Sequence, residues 1–248
     1  MGKRIYGLKK DEPDLRDYIY QTEVIKEVLA SKIDLRDEMS AVVDQGDLGS
    51  CTANAMASGL REFLELRDKV SYTALSRLFL YWHERYLEGT VSTDSGASIR
   101  DGMKVLKNIG VCPEADFPYD IRKFTNKPSA KAETDAAEYK ISQYSRILSL
   151  TKLKASLSED LPVVFGFAVY ESFESDDVTN TGWAPLPKEG EELLGYHAVL
   201  AVGYDNANSV VICRNSWGKE WGDKGYFYLP YSFWSKDLVT DMWTGDTK

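Results

Sequence analysis

Ala53, Met56, Ala57, Leu60, Phe63 and Leu64 repeat at helical spacing directly after the glycine-punctuated stretch Gln45-Gly46-Asp47-Leu48-Gly49-Ser50-Cys51. Apolar residues three and four apart form one stripe on a helix, so the spacing predicts a helix over 50–66 with Ser50 at its start. Such a turn running straight into a helix puts Cys51 in the first helical turn. There the positive end of the helix dipole favours thiolate over thiol, and thiolate is the nucleophile. A lone cysteine near a helix is more often a small buried hydrophobe. Position alone leaves both roles open.

The rest of the chain divides in texture. Helices are predicted over 74–86 and 99–109, the latter stopped by Gly110, with a weaker helix over 22–29. The stretch 113–128 reads as loop. After about residue 140 a short helix over 150–157 precedes the apolar run 162–169, which has strand length. A hairpin follows, 196–204 and 209–214 around Asp205-Asn206-Ala207-Asn208, then a strand over 225–229. Helices first and strands second imply an α+β arrangement, with a cleft between unlike halves as the natural place for a site. The units are a leader, 1–32, a helical half, 33–140, and a β-rich half, 141–248.

Composition narrows the function classes. A net charge of −9 without a basic patch argues against nucleic acid as a partner. No apolar run approaches the roughly 18 residues a membrane helix needs, so no membrane partner is expected. The N-terminus, Met-Gly-Lys-Arg-Ile-Tyr-Gly, has no apolar core of a signal peptide. Three cysteines, Cys51, Cys112 and Cys213, are too few for a disulfide scaffold. Together these make a cytoplasmic monomer the expectation, with export by another route left open. Two histidines and no Cys-x-x-Cys or His-Glu-x-x-His argue against metal, and no organic cofactor is expected.

An activated thiol needs an imidazole within reach and a third group to orient it. His83 sits mid-helix among Tyr81, Trp82 and Tyr86, where packing is the expected role. His197 opens a strand in Gly195-Tyr196-His197-Ala198-Val199, and Asn215 begins Asn215-Ser216-Trp217-Gly218 past the other arm of the hairpin. A hairpin brings those two side by side.

The segment Gln45–Cys51, the Tyr196-His197-Ala198-Val199 strand, and Asn215-Ser216-Trp217-Gly218-Lys219-Glu220-Trp221-Gly222 resemble, in this order, the three signatures of papain-like cysteine peptidases. The resemblance covers roughly 33–230 and is closest to bacterial members. It implies a papain-like fold, with a helical left half, an antiparallel β-barrel-like right half and the active site in the cleft. It implies a thiol endopeptidase in which Cys51 attacks the scissile carbonyl and forms a thioester. His197 would shuttle the proton, Asn215 orient the ring under Trp217, and Gln45 with the Cys51 N–H form the oxyanion hole. Gly96 matches the glycine that pairs with extended substrate, a simple turn being the alternative; Ile99, Gly166 and Ala198 are candidates for the pocket of the residue two before the cleavage point. Trp221 would stand on the leaving-group side, an ordinary core role being the alternative, and Trp217 is a further substrate-binding candidate. The implied partner is a peptide or protein substrate.

There are departures. Leu48 stands where secreted members have a cysteine, and Thr52 replaces the usual aromatic after the nucleophile. Cys112 and Cys213 match no family disulfide and read as structural thiols. The leader lacks the long helical prosegment of lysosomal and plant enzymes; Tyr6-Gly7 and Pro13-Asp14-Leu15-Arg16-Asp17 resemble the short leader of bacterial relatives. Either it straps the cleft as in a zymogen, or it merely clamps the body. The acidic stretch 171–192 either rims the cleft and favours basic peptides or is a solvated loop. A cell-wall amidase or acyl transferase, and a silent peptide-binding homologue, are the competing functions.

Overall fold

The periodic run after Cys51 forms one continuous helix. It starts as a short α turn, Cys51–Ala53, widens into a π-helical stretch, Asn54–Arg61, and returns to α geometry over Glu62–Arg67. In this computed structural model, which describes residues 4–22, 29–68 and 71–248, the helix is buried on all sides as far as Glu65. A helix buried all round is a central element rather than a surface one. Ser50 does not cap it: its hydroxyl meets Asn54 Nδ2 at 3.0 Å and the Tyr119 hydroxyl, and no helical N–H. Within the wide stretch, Ser58 Oγ donates to the Asn54 carbonyl at 2.8 Å, a local bond that competes with regular α bonding.

Helices Arg77–Leu87 and Ile99–Asn108 pack beside this one. Ser76 and Ser98 cap them by accepting from the N–H groups of Phe79 and Asp101. The first begins later than the sequence predicts because Leu75 is bridged to Pro113, which holds the preceding residues extended. Gly110, at φ +94°, ends the second. Most of the helix predicted over 22–29 lies outside the described residues.

Two short strands, β1 (Leu8–Lys9) and, later in the chain, β3 (Ala97–Ser98), pair in parallel. Between them in sequence, β2 (Lys32–Asp34) pairs with β6 of the main sheet, whose strands are β4 (Gln143–Ile147), β5 (Val163–Tyr170), β6 (Leu193–Asp205), β7 (Val210–Arg214), β8 (Tyr226–Pro230) and β9 (Val239–Asp246). The order is β4-β9-β5-β6-β7-β8, antiparallel throughout and open at its ends. β4 and β9 escape sequence reasoning because neither alternates cleanly: β9 is Val-Thr-Asp-Met-Trp-Thr-Gly-Asp. The central helix packs on this sheet, with Gly59 over Leu200 of β6.

The leader is tied to both halves. Asp17 pairs with Arg100 and Arg146, each at 2.8 Å, and Tyr20 N–H donates to the Arg146 carbonyl at 2.9 Å. Asp11 accepts from Trp243 Nε1 at 2.7 Å and from the Arg100 N–H at 3.2 Å.

Candidate active site

Cys51 is the first residue of the central helix and has no exposed surface. Burial pushes its thiol up to about 11, although the backbone N–H groups of Ala198, Gly7 and Thr52 bond towards the sulfur and favour the thiolate. The Ala198 contact sets the sulfur beside β6, next to His197.

The β6–β7 hairpin, with Leu200 opposite Arg214, carries His197 and Asn215 to the same end. Asn215 Oδ1 accepts from His197 Nε2–H and from the Ser216 N–H, both at 2.8 Å. With Nε2 so engaged, the assigned tautomer leaves Nδ1 buried and without a hydrogen-bond partner. Trp217 stacks on the imidazole at 4.8 Å and 24°, and Trp221 braces Trp217 edge-on at 4.9 Å. Burial pushes the His197 imidazole down to about 4, against the opposing hydrogen bond it donates to Asn215 and with a smaller push from Arg4. Burial thus disfavours the charged form of both thiol and imidazole in this closed arrangement.

Gln45 is clamped from several sides. Its Nε2 donates to the Leu48 carbonyl at 2.9 Å, its Oε1 accepts from Ser216 Oγ at 2.6 Å, and its N–H donates to the Ser216 carbonyl at 2.9 Å. One amide hydrogen remains for a ligand. A buried thiol, an imidazole held by an amide, and a fixed amide donor form a set suited to attack on a carbonyl. Among the described residues, no group of three or more His, Cys, Asp or Glu side chains is arranged to hold a metal ion.

What closes the site is the leader. The Gly7 carbonyl accepts from the Ala97 N–H at 2.9 Å, continuing into the β1–β3 pairing. A Cβ on Gly7 would collide with the Gly49 carbonyl, and one on Gly96 (φ +68°) with that of Gly7, so both glycines are needed for this approach. Tyr6 stands edge-on to His197 at 6.1 Å and donates its hydroxyl to Glu174. Arg4 lies over Trp217, 3.9 Å from the ring centroid. Leu8 abuts Gly166, where any side chain would strike it.

The other sequence candidates fall around this strap. Gly166 and Ala198 are opposite one another on β5 and β6. Ile99 is fully buried at the start of its helix, and Trp221 is packed between Trp217 and Phe173. His83 is buried against Phe79 and Trp82, its imidazole pushed down to about 4 by that burial. Cys112 and Cys213 are free and buried, with burial pushing Cys112 up to about 12.

Sequence reasoning gave no role to Glu84, Ser216 or Arg4, and reached Glu174 only as part of the acidic stretch that either rims the cleft or is a solvated loop. Glu84 is fully buried beneath the first helical turn, where Thr52 Oγ1 donates to it at 2.8 Å. This bond accounts for Thr52 where an aromatic would be usual. Burial raises the Glu84 carboxyl well above its ordinary range, against the opposing hydrogen bond from Thr52.

Residues 29–234 match the family described as papain family cysteine protease. An uncharacterized peptidase C1-like protein, L477, of Acanthamoeba polyphaga mimivirus is 39% identical, over 97% of this chain and 86% of its own length. Peptidase 1 of the mite Euroglyphus maynei is 27% identical over 92% of the chain and 70% of its own. Among solved structures, xylellain, a cysteine protease from Xylella fastidiosa, superposes with a TM-score of 0.90 at 41% identity, covering 100% of this chain and 99% of that one.

Proposed function

The chain belongs to the papain family of cysteine proteases, and on that footing we propose that it is an endopeptidase working through Cys51, His197 and Asn215, held latent by its own leader. The observation that carries the reading is the His197 Nε2 to Asn215 Oδ1 bond, which leaves Nδ1 unpartnered on a residue adjacent to Ala198, whose N–H bonds towards the Cys51 sulfur.

His197 Nδ1 takes the Cys51 proton, and the thiolate attacks the scissile carbonyl. The oxyanion is met by Gln45 Nε2 and the Cys51 N–H; a donor of this kind is worth about 10²–10³ in rate. The imidazolium then protonates the leaving nitrogen, a thioester remains, and His197 activates the water that releases the acid. Asn215 accepts from Nε2–H throughout, and Trp217 shields that bond from water.

The course of the leader supports latency. The leaving nitrogen must lie beside His197, so the C-terminal part of a substrate runs along Trp217 and the N-terminal acyl part towards Gly96. The leader runs from Arg4 over Trp217, past Gly7 at the sulfur, to Leu8 and Lys9 on Ala97 and Ser98. Its direction is opposite to that of a productive substrate, so its peptide bonds are presented the wrong way round.

The test is cleavage of casein and an internally quenched peptide by the full chain and by full-length Gly7→Val, with Cys51→Ala as blank. Turnover that rises in Gly7→Val and vanishes in Cys51→Ala is expected. Hydrolysis of a cell-wall stem peptide without casein cleavage would instead favour an amidase, and peptide binding without turnover a silent homologue.

A further inference from the structure

The guanidinium of Arg4 sits over the Trp217 ring, and the carboxylates of the protein body whose field reaches it are Asp44, Glu174 and Asp47. Two separate segments supply these carboxylates and a third supplies the ring. Asp44 and Asp47 flank the glycine turn before the central helix, Glu174 belongs to the acidic stretch after β5, and Trp217 follows β7. Asp44, Gln45, Gly46, Asp47 and Trp217 line one surface cavity together with Arg4 and Ile5 of the leader. No described carboxylate lies within ion-pair distance of Arg4. The guanidinium is thus held by an aromatic face in a negative field rather than by one fixed salt bridge. Such a seat is tolerant of the cation's length and geometry. Glu174 is engaged by the Tyr6 hydroxyl only while the strap is in place; strap departure returns that carboxylate to the cleft.

Because the leaving nitrogen lies beside His197, this seat is on the leaving-group side. We propose that it is a cation-selective subsite: Trp217, Asp44, Asp47 and Glu174 select substrates with Lys or Arg as the first or second residue after the scissile bond, and Arg4 fills the subsite in the latent chain. The substrate claim rests on the endopeptidase reading above. It gives the acidic stretch a specific role, since Glu174 faces the cleft while Glu189 and Gly190 lie exposed away from such contacts.

Two measurements on full-length protein test this. The first is the rate of Cys51 alkylation by a small epoxide in the wild type, Arg4→Ala, Asp44→Asn/Asp47→Asn, and the triple variant. About a several-fold rise for each change is expected, with the triple variant no faster than Arg4→Ala alone. An Arg4→Ala rate equal to wild type would overturn the proposal. The second uses matched quenched peptides with Arg, Lys, Ala or Glu at the first or at the second position after the cleavage point, on Gly7→Val with and without the two Asn substitutions. About a tenfold preference in kcat/KM for Arg and Lys over Ala at low salt is expected, with Glu poorest. That preference should shrink at high salt and in the Asn variants. Arg and Ala peptides cleaved equally would overturn the subsite alone. No peptide cleaved by a chain whose Cys51 alkylates would overturn the endopeptidase reading and the substrate claim with it.

Discussion

Asn215 Oδ1 holds His197 through Nε2 at 2.8 Å and leaves Nδ1 of the same ring as a buried nitrogen without a partner. That asymmetry gives the thiol beside it a base of defined tautomer.

Replacing Asn215 with Ala removes the acceptor from both His197 Nε2–H and the Ser216 N–H. Turnover is expected to fall by about 10²-fold or more, within the range for a mispositioned acid–base group. Two buried donors lose their partner, so stability should fall by about 1–3 kcal/mol. Steady-state kinetics and urea unfolding read the two effects separately.

Gln45→Ala separates oxyanion stabilisation from nucleophile activation. Peptide turnover in full-length Gly7→Val should drop about 10²–10³-fold, while alkylation of Cys51, which forms no oxyanion, should change far less. Parallel losses in both would mean that Gln45 acts by holding the Ser216 segment through its bonds to that residue.

The closed cleft also sets a pH dependence. Burial disfavours charge, so it raises the Cys51 thiol to about 11 and lowers the His197 imidazole to about 4. In the strapped chain, alkylation of Cys51 should keep rising with pH from 7 to 10, because thiolate is still accumulating. Opening the cleft in Gly7→Val rehydrates both groups, moving the thiol down and the imidazole up. Its alkylation profile should therefore level off at a lower pH than that of the wild type, as pH-resolved mass spectrometry would read.

Thr52 and Glu84 form a buried pair beneath the first helical turn. Thr52→Val deprives the buried Glu84 carboxyl of its hydroxyl donor and is expected to cost about 1–3 kcal/mol in urea unfolding. Glu84→Gln keeps the shape and an acceptor for Thr52, and should cost less.

The sequence carried the parts of this architecture that depend on local pattern. The 3.6-residue period after Cys51 marked the central helix, and the turn at Asp205–Asn208 marked the hairpin that joins His197 to Asn215. What it hid depends on pairing at a distance. β9 carries Thr, Asp and Gly among its apolar residues and is recognisable only from its partners β4 and β5. Glu84 reads as one more polar residue of a helix, though its neighbours bury it completely. Gly7 reads only as part of a short leader until Gly49 and Gly96 are seen against its backbone. The leader's place in the cleft was one of two readings the residues left open, because strap and clamp have the same composition.

Cys51 accessibility tests the account most directly. Full-length wild type, Gly7→Val and Cys51→Ala would be incubated with a dipeptidyl epoxide and weighed intact over time. The account calls for slow labelling of the wild type, rapid addition of one adduct to Gly7→Val, and none to Cys51→Ala. A Gly7→Val chain that folds yet labels no faster than wild type, or that labels at Cys112 or Cys213 instead, would contradict it.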